Sequence, residues 1–160
     1  MIKKAVLKKL FELSPIEQKQ IKEHQFVNDL SPYVWSKDNK NRMINRKLLS
    51  HHSIYLSKHN RFTSYPLHSH QFVEINYMLQ GECNEMVGGN PIHLEEGSVL
   101  MMDIGCHHSV GQLNKNDLMI NLIFNNKNIS FKFLDKTHKK DSFQFHLSVS
   151  FQYSTPSTLS

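Results

Sequence analysis

HSHQFVEINYMLQG, residues 68–81, sets two histidines and a glutamate into a run that otherwise reads as a buried strand. Side chains on a strand alternate between faces, so residues of equal parity share a side. If the strand is continuous, His68, His70, Phe72, Glu74, Asn76 and Met78 lie on one face, with Val73, Ile75, Tyr77 and Leu79 on the other. Two imidazoles and a carboxylate then point into whatever the sheet encloses. Those donors form the ligand set of iron, manganese, nickel or zinc. A fourth donor has to come from another strand, and DIGCHH, residues 103–108, offers His107 and His108.

Working outward, the period-two pattern continues. SIYLS (53–57), NEMV (84–87), PIHL (91–94), SVLMM (98–102) and LMINLIF (118–124) are short alternating stretches. QGE, GGNP, EEG, DIG and LNKND punctuate them as turns. Many short strands with no helix between them mean antiparallel sheet, a sandwich or a small barrel.

The chain before residue 50 reads differently. Ile2, Val6, Leu7, Leu10 and Phe11 recur at helical spacing. Ser14 then offers an N-cap, with Pro15 at the first helical position and Glu17 three residues after the cap, for a helix running to about His24. A polar, irregular connector follows, with Trp35 as an anchor. At the other end, DSFQFHLSVSFQYSTPSTLS (141–160) carries one acidic residue and neither lysine nor arginine. The expected organisation is a helical arm and connector over 1–50, a β domain over 51–134, and an atypical, disordered tail over 135–160.

A length of 160 residues allows one domain with appendages. No apolar run approaches the roughly 18 residues of a membrane span, and the basic start lacks the continuous apolar stretch of a secretory signal. Two cysteines, Cys83 and Cys106, are too few for a disulfide scaffold, which points to reduced thiols in a cytoplasm. The net charge of +5 permits an acidic partner without requiring one. Lys3, Lys4, Lys8 and Lys9 read as a solvated helix face. There is no nucleophile elbow, phosphate-cradling glycine loop or cysteine pair at zinc spacing.

The ligand stretch resembles the cupin superfamily, small β-barrels of the jelly-roll type. Its first motif closes on H-x-H, a short spacer, E, six residues and G, which His68, His70, Glu74 and Gly81 match. Its second motif is matched by Gly97, Gly105 and His108, a register that selects His108 over His107. Phe62 stands where the first motif usually opens with Gly, Asp103 replaces Pro, and Gln112 replaces the closing Asn. Over roughly residues 50–126 the chain looks most like the N-terminal sensing domain of AraC/XylS-type transcription regulators.

That resemblance implies a mainly β, cupin-type barrel with an N-terminal helical arm. His68, His70, Glu74 and His108 are the implied ligands of a divalent transition metal, iron, manganese, nickel or zinc. The alternative is a metal-free polar pocket. Phe72, Asn76 and Met78 would line the cavity around a small polar or sugar-like effector. Cys106 reads as a small hydrophobe near the pocket. His51, His52, His59, His93, His138 and His146 fall outside any ligand spacing and read as surface or strand residues. The expected role is effector binding and dimerisation in a cytoplasmic regulator, as a homodimer or paired with an intact regulator. DNA would be reached only through a C-terminal helix-turn-helix domain, for which the residues after FKFLDK (131–136) leave no room. The alternative is a metal-dependent cupin enzyme, a dioxygenase or sugar isomerase. The lack of a basic residue inside the strands to hold an anionic substrate counts against it.

Overall fold

The computed structural model describes residues 4–34, 42–49 and 54–124; Trp35 and the expected tail lie outside them. Two helices, α1 (Lys4–Phe11) and α2 (Pro15–Glu23), precede nine strands. These are β1 (Met43–Ile44), β2 (Ile54–Lys58), β3 (Tyr65–His70), β4 (Val73–Gln80), β5 (Glu82–Val87), β6 (Asn90–Glu95), β7 (Val99–Met102), β8 (His108–Val110) and β9 (Leu118–Phe124). The strands form a five-stranded sheet, β1-β3-β8-β5-β6, and a four-stranded sheet, β2-β9-β4-β7. Every pairing is antiparallel except that of β1 with β3. The mainly β, cupin-type architecture with an N-terminal helical arm is the one the period-two pattern and the resemblance led us to expect.

The stretch that opened the reading is not one strand. The chain bends at Gln71 and Phe72, so β3 belongs to one sheet and β4 to the other. Backbone bonds hold this corner: Gln71 N–H donates to Ile44 O at 2.9 Å, and Gly105 N–H donates to His70 O at 2.9 Å. Two packed sheets share one interior, so a strand that changes sheets can keep the same parity inward on both sides of its bend. His68, His70, Phe72, Glu74, Asn76 and Met78 are accordingly all buried.

The four-stranded sheet shows the same alternation in register. Ser57, Asn121, Asn76 and Leu100 form one row across it, and Tyr55, Ile123, Glu74 and Met102 form another. Met78, Cys83, Leu94, Leu100, Met102, Val110, Leu113 and Met119 pack into one apolar cluster. A second joins Val34, Ile44 and Leu49 of the connector to Phe72 and Ile123 of the barrel. Each such side chain contributes about 1.5–3 kcal/mol by leaving water.

Two turn positions carry backbone constraints. Gly81 (φ 81°) lies against Asp117, and a β-carbon there would overlap the Asp117 carboxylate. That carboxylate accepts from Asn114 N–H at 2.7 Å, so it is held in place. Phe62 adopts φ 78°, so the backbone keeps a glycine-like conformation where the motif's Gly is replaced. Left-handed backbone costs an L-residue about 1–2 kcal/mol. The ring lies 5.2 Å from the Arg61 guanidinium, and Phe62 N–H donates to Leu113 O at 2.8 Å, contacts that offset the strain.

The arm is fastened by charge. Ser14 and Glu17 form the expected capping box, and α2 ends at His24 in left-handed conformation. Glu17 does more than cap. It is fully buried and accepts from Arg61 Nε at 2.7 Å and from Lys58 Nζ at 2.8 Å. Arg61, 2% exposed, also donates to Lys115 O at 2.9 Å and Phe11 O at 3.0 Å. Gln20 Nε2 donates to Arg61 O at 2.6 Å. Burial alone would raise the Glu17 carboxyl, but hydrogen bonds from Arg61 and Lys58 hold it at about 2. By contrast α1 buries no residue, and Lys4, Lys8 and Lys9 are exposed.

Removing one member of a buried ion pair leaves the other uncompensated and typically costs about 3–5 kcal/mol. Arg61→Met should lose about that much in urea unfolding. Combining it with Glu17→Met should recover part of the loss. Equal destabilisation by the single and double variants would show that the pair is not the fastening.

Candidate functional site

The corner between β3 and β4 and the pairing of β3 with β8 bring the ligand-type residues together. His68 and His108 are direct cross-strand partners, with ring centroids 4.1 Å apart. Glu74 approaches them from the opposite sheet, and one ligand atom from each of His68, Glu74 and His108 lies within 4.8 Å of the others. His70 sits beside this trio. Its Nε2 is 3.4 Å from Glu74 Oε2, and its ring centroid is 6.4 Å from that of His68. His107 is exposed and His108 buried, as the motif register requires.

Hydrogen bonds fix which nitrogens are free. His68 Nδ1 donates to Pro66 O at 2.9 Å and His70 Nδ1 donates to Phe72 O at 2.7 Å, so both Nε2 atoms keep a lone pair. This backbone anchoring is the arrangement that orients metal-binding imidazoles. His70 Nε2 has no hydrogen-bond partner among the described residues, and His108 Nε2 lies 4.0 Å from Glu74 Oε2.

Burial also sets the protonation states. It pushes His68 down to about 4, and His108, with His68 and His70 adding to the effect, down to about 2. His70 is lowered by the same cause. Glu74 goes the other way, to about 8, through burial and then the nearby Glu85. Glu85 is itself pushed to about 7 by burial. Metal-free at neutral pH, the cluster therefore holds neutral imidazoles and a protonated Glu74. Neutral imidazole lone pairs and a carboxyl that would give up its proton on binding are a donor set that fits a divalent transition ion.

Beside the cluster lies a cavity of about 260 Å³, whose wall includes His68, Phe72, Glu74 and His108. The Phe72 ring stacks on that of His70, centroids 4.8 Å apart and 7° from parallel. Asn76 and Met78 are not among the residues that line the cavity. Asn76 Nδ2 donates to Glu85 Oε1 at 3.0 Å, and Met78 is sealed in the apolar cluster against which Cys106 also packs. Arm and connector residues Asp29, Leu30, Ile44 and Leu48 also belong to the wall.

His59 corrects the sequence reading. It follows β2 but is 7% exposed and lines the cavity. Burial lowers it to about 4. His93 is exposed near Glu82 and Glu95, while His51, His52, His138 and His146 lie outside the described residues. Glu85, Asn121 and Asp29 are further polar residues at the site that no ligand spacing marks. Parity alone would have flagged Glu85, on the face of Cys83, and Asn121, on the face of Met119 and Ile123.

Residues 50–121 match the family model of the AraC-like ligand binding domain. Comparison with curated proteins gives no match. Among solved structures, a cupin protein from Bacteroides fragilis is 18% identical, with 59% of this chain and 85% of that one covered and a TM-score of 0.44. A predicted oxalate decarboxylase from Thermotoga maritima is 25% identical, with 49% and 72% covered and a TM-score of 0.39. KdgF from Halomonas sp. is 22% identical, with 44% and 66% covered and a TM-score of 0.39. The chain thus spans just under two thirds of the Halomonas protein.

The Glu74 carboxyl gives a pH signature. Its folded value of about 8 lies above the ordinary 4.5. The stability that comes from its protonated form is therefore fully present below pH 4.5 and is lost as pH rises through about 8. In chelator-treated protein, Glu74→Gln should gain on wild type across that window by on the order of a few kcal/mol. Urea unfolding at acid, neutral and mildly alkaline pH measures the gap, and a gap independent of pH would contradict the burial of this carboxyl.

Proposed function

Taking residues 50–121 as an AraC-like ligand binding domain of cupin type, we propose that this chain is the effector-sensing part of a transcription regulator, acting in the cytoplasm. The observation that carries this reading is the shared wall of the cavity. Asp29, Leu30, Ile44 and Leu48 of the arm and connector face the same space as His68, Glu74, His108 and Ile123 of the barrel. A small polar molecule inside would touch both. Its binding energy would then depend on whether the arm is seated, which is the requirement for a ligand to bias a conformational equilibrium.

The partners follow from that role. A second copy of this chain, or an intact regulator, would pair with it. The outer row Leu56, Leu122, Ile75 and Met101 supports such pairing, because Leu56 is exposed in it. DNA would be reached through a separate helix-turn-helix region. Among the described residues no helix is long and apolar enough to cross a membrane.

The trio His68, Glu74 and His108, with His70 beside Glu74, would hold iron, manganese, nickel or zinc. When bound, such an ion supplies a Lewis-acidic centre. The trio is also the one feature that favours the second reading, a metal-dependent cupin enzyme. For a sensor, Glu74 and the histidines serve to orient the effector and close the polar end of the cavity.

A thermal-shift screen with small polar metabolites, run with and without added divalent metal, separates the two readings. An effector at 100 times its dissociation constant should stabilise the fold by about 2.7 kcal/mol and be recovered unchanged. Metal-dependent consumption of the stabilising compound would overturn the sensor reading in favour of the enzyme.

A further inference from the structure

Resting on the reading of this chain as part of a regulator, we infer that its helical arm is itself a sequence-independent contact for the phosphate backbone of duplex DNA. Base reading stays with the separate helix-turn-helix region. The arm adds contacts that position the protein without specifying a sequence.

Charge is segregated along the chain. The first 50 residues hold 11 lysines and arginines against 5 acidic residues, whereas residues 51–124 hold 3 against 7. A basic arm and connector thus precede an acidic barrel, an asymmetry that suits a polyanionic partner at one end.

The fold sharpens this separation. Glu17, in the middle of the arm, is turned inward and paired with Arg61 and Lys58 of the barrel, so it neutralises nothing outside. Lys4, Lys8 and Lys9 of α1 and Lys19 and Lys22 of α2 are all exposed. None of the five forms an ion pair among the described residues. α1 contains no acidic residue, and Glu12 and Glu23 are the exposed carboxylates of the arm. Lys4 and Lys8 stand four residues apart and Lys19 and Lys22 three apart, spacings that set neighbouring ammonium groups side by side on a helix. On the barrel, Glu82, Glu95, Glu96 and Asp103 are exposed and repel a phosphate backbone, so the arm is the end that faces it.

The same helix argues against an anionic bilayer as the partner. A helix that lies in a membrane interface needs a free apolar face. Leu7, Leu10 and Phe11 are half-buried, and the Phe11 carbonyl accepts from Arg61 at 3.0 Å. Val6 is the one large aliphatic side chain of α1 left exposed. What the arm presents is a set of point charges, which phosphates satisfy without an apolar phase.

Fluorescence anisotropy of the full chain with a labelled random-sequence duplex tests this. The association constant should fall with salt on a log–log slope between about −2.7 and −4.5, the counterion release of roughly three to five phosphate contacts. Lys4→Gln, Lys8→Gln and Lys9→Gln combined should leave a slope of about −1.8 or flatter and weaken low-salt binding roughly tenfold or more, with circular dichroism unchanged. Lys115→Gln, on the barrel, should change neither. A slope near zero, a wild-type slope in the triple variant, or an equal loss in Lys115→Gln would overturn the arm as a DNA contact. Absence of duplex binding would overturn it too. Capture by phosphatidylcholine–phosphatidylglycerol vesicles would then assign the lysines to a membrane surface, and salt-sensitive self-association to the acidic barrel of a second copy. Each failure leaves the effector cavity standing, because the metabolite screen reads that cavity without DNA.

Discussion

A guanidinium cannot be buried unless its donors are met, and Arg61 meets them with groups drawn from three places. Glu17 comes from α2, the Phe11 carbonyl from the end of α1, and the Lys115 carbonyl from the loop before β9. The desolvation cost of each ion is several kcal/mol, so the pair holds only where this geometry is complete. That makes the seating of the helices on the barrel an all-or-none matter rather than a graded surface attraction. The position of Arg61 also explains its neighbour. Phe62 accepts a strained backbone because the loop must turn there while Arg61 points inward.

Inside the barrel the situation is reversed, because polar groups are buried without being matched. Glu74 and Glu85 are pushed towards neutrality, and His59, His70, His108 and Asn121 each keep a buried atom without a partner among the described residues. Unmet groups of this kind cost about 1–3 kcal/mol each. The buried arginine is met on every side by the helices and the loop before β9, whereas the polar atoms around the cavity lack a protein partner among the described residues. The clamp holds the wall of the cavity, and the cavity supplies the unmet donors and acceptors.

Much of this was legible in the sequence, because the signals are local. The period of two, the turn glycines and the Ser14 capping box each act within a few residues. The histidines and Glu74 share a parity that survives the bend at Gln71 and Phe72. The bend itself was not legible, since nothing in the alternation of SHQFVE marks a change of sheet. Glu17 and Arg61 lie 44 residues apart and look, in isolation, like ordinary surface charges. His59 has no ligand spacing in the sequence, and its burial comes from contacts with Tyr65 and β9 rather than from its own strand. Asn121 and Glu85 broke apolar faces that could have been read. Trp35 and the stretch after Phe124 lie outside the described residues.

The central claim is that the arm and the barrel share one ligand, and amide hydrogen exchange across residues 15–30 tests it most directly. With an effector bound in the cavity, exchange in this segment should slow markedly, since Asp29 and Leu30 belong to the wall and α2 is fastened through Glu17. Slowing confined to β3, β4, β8 and β9, with the segment 15–30 exchanging as it does in the free chain, would contradict the claim.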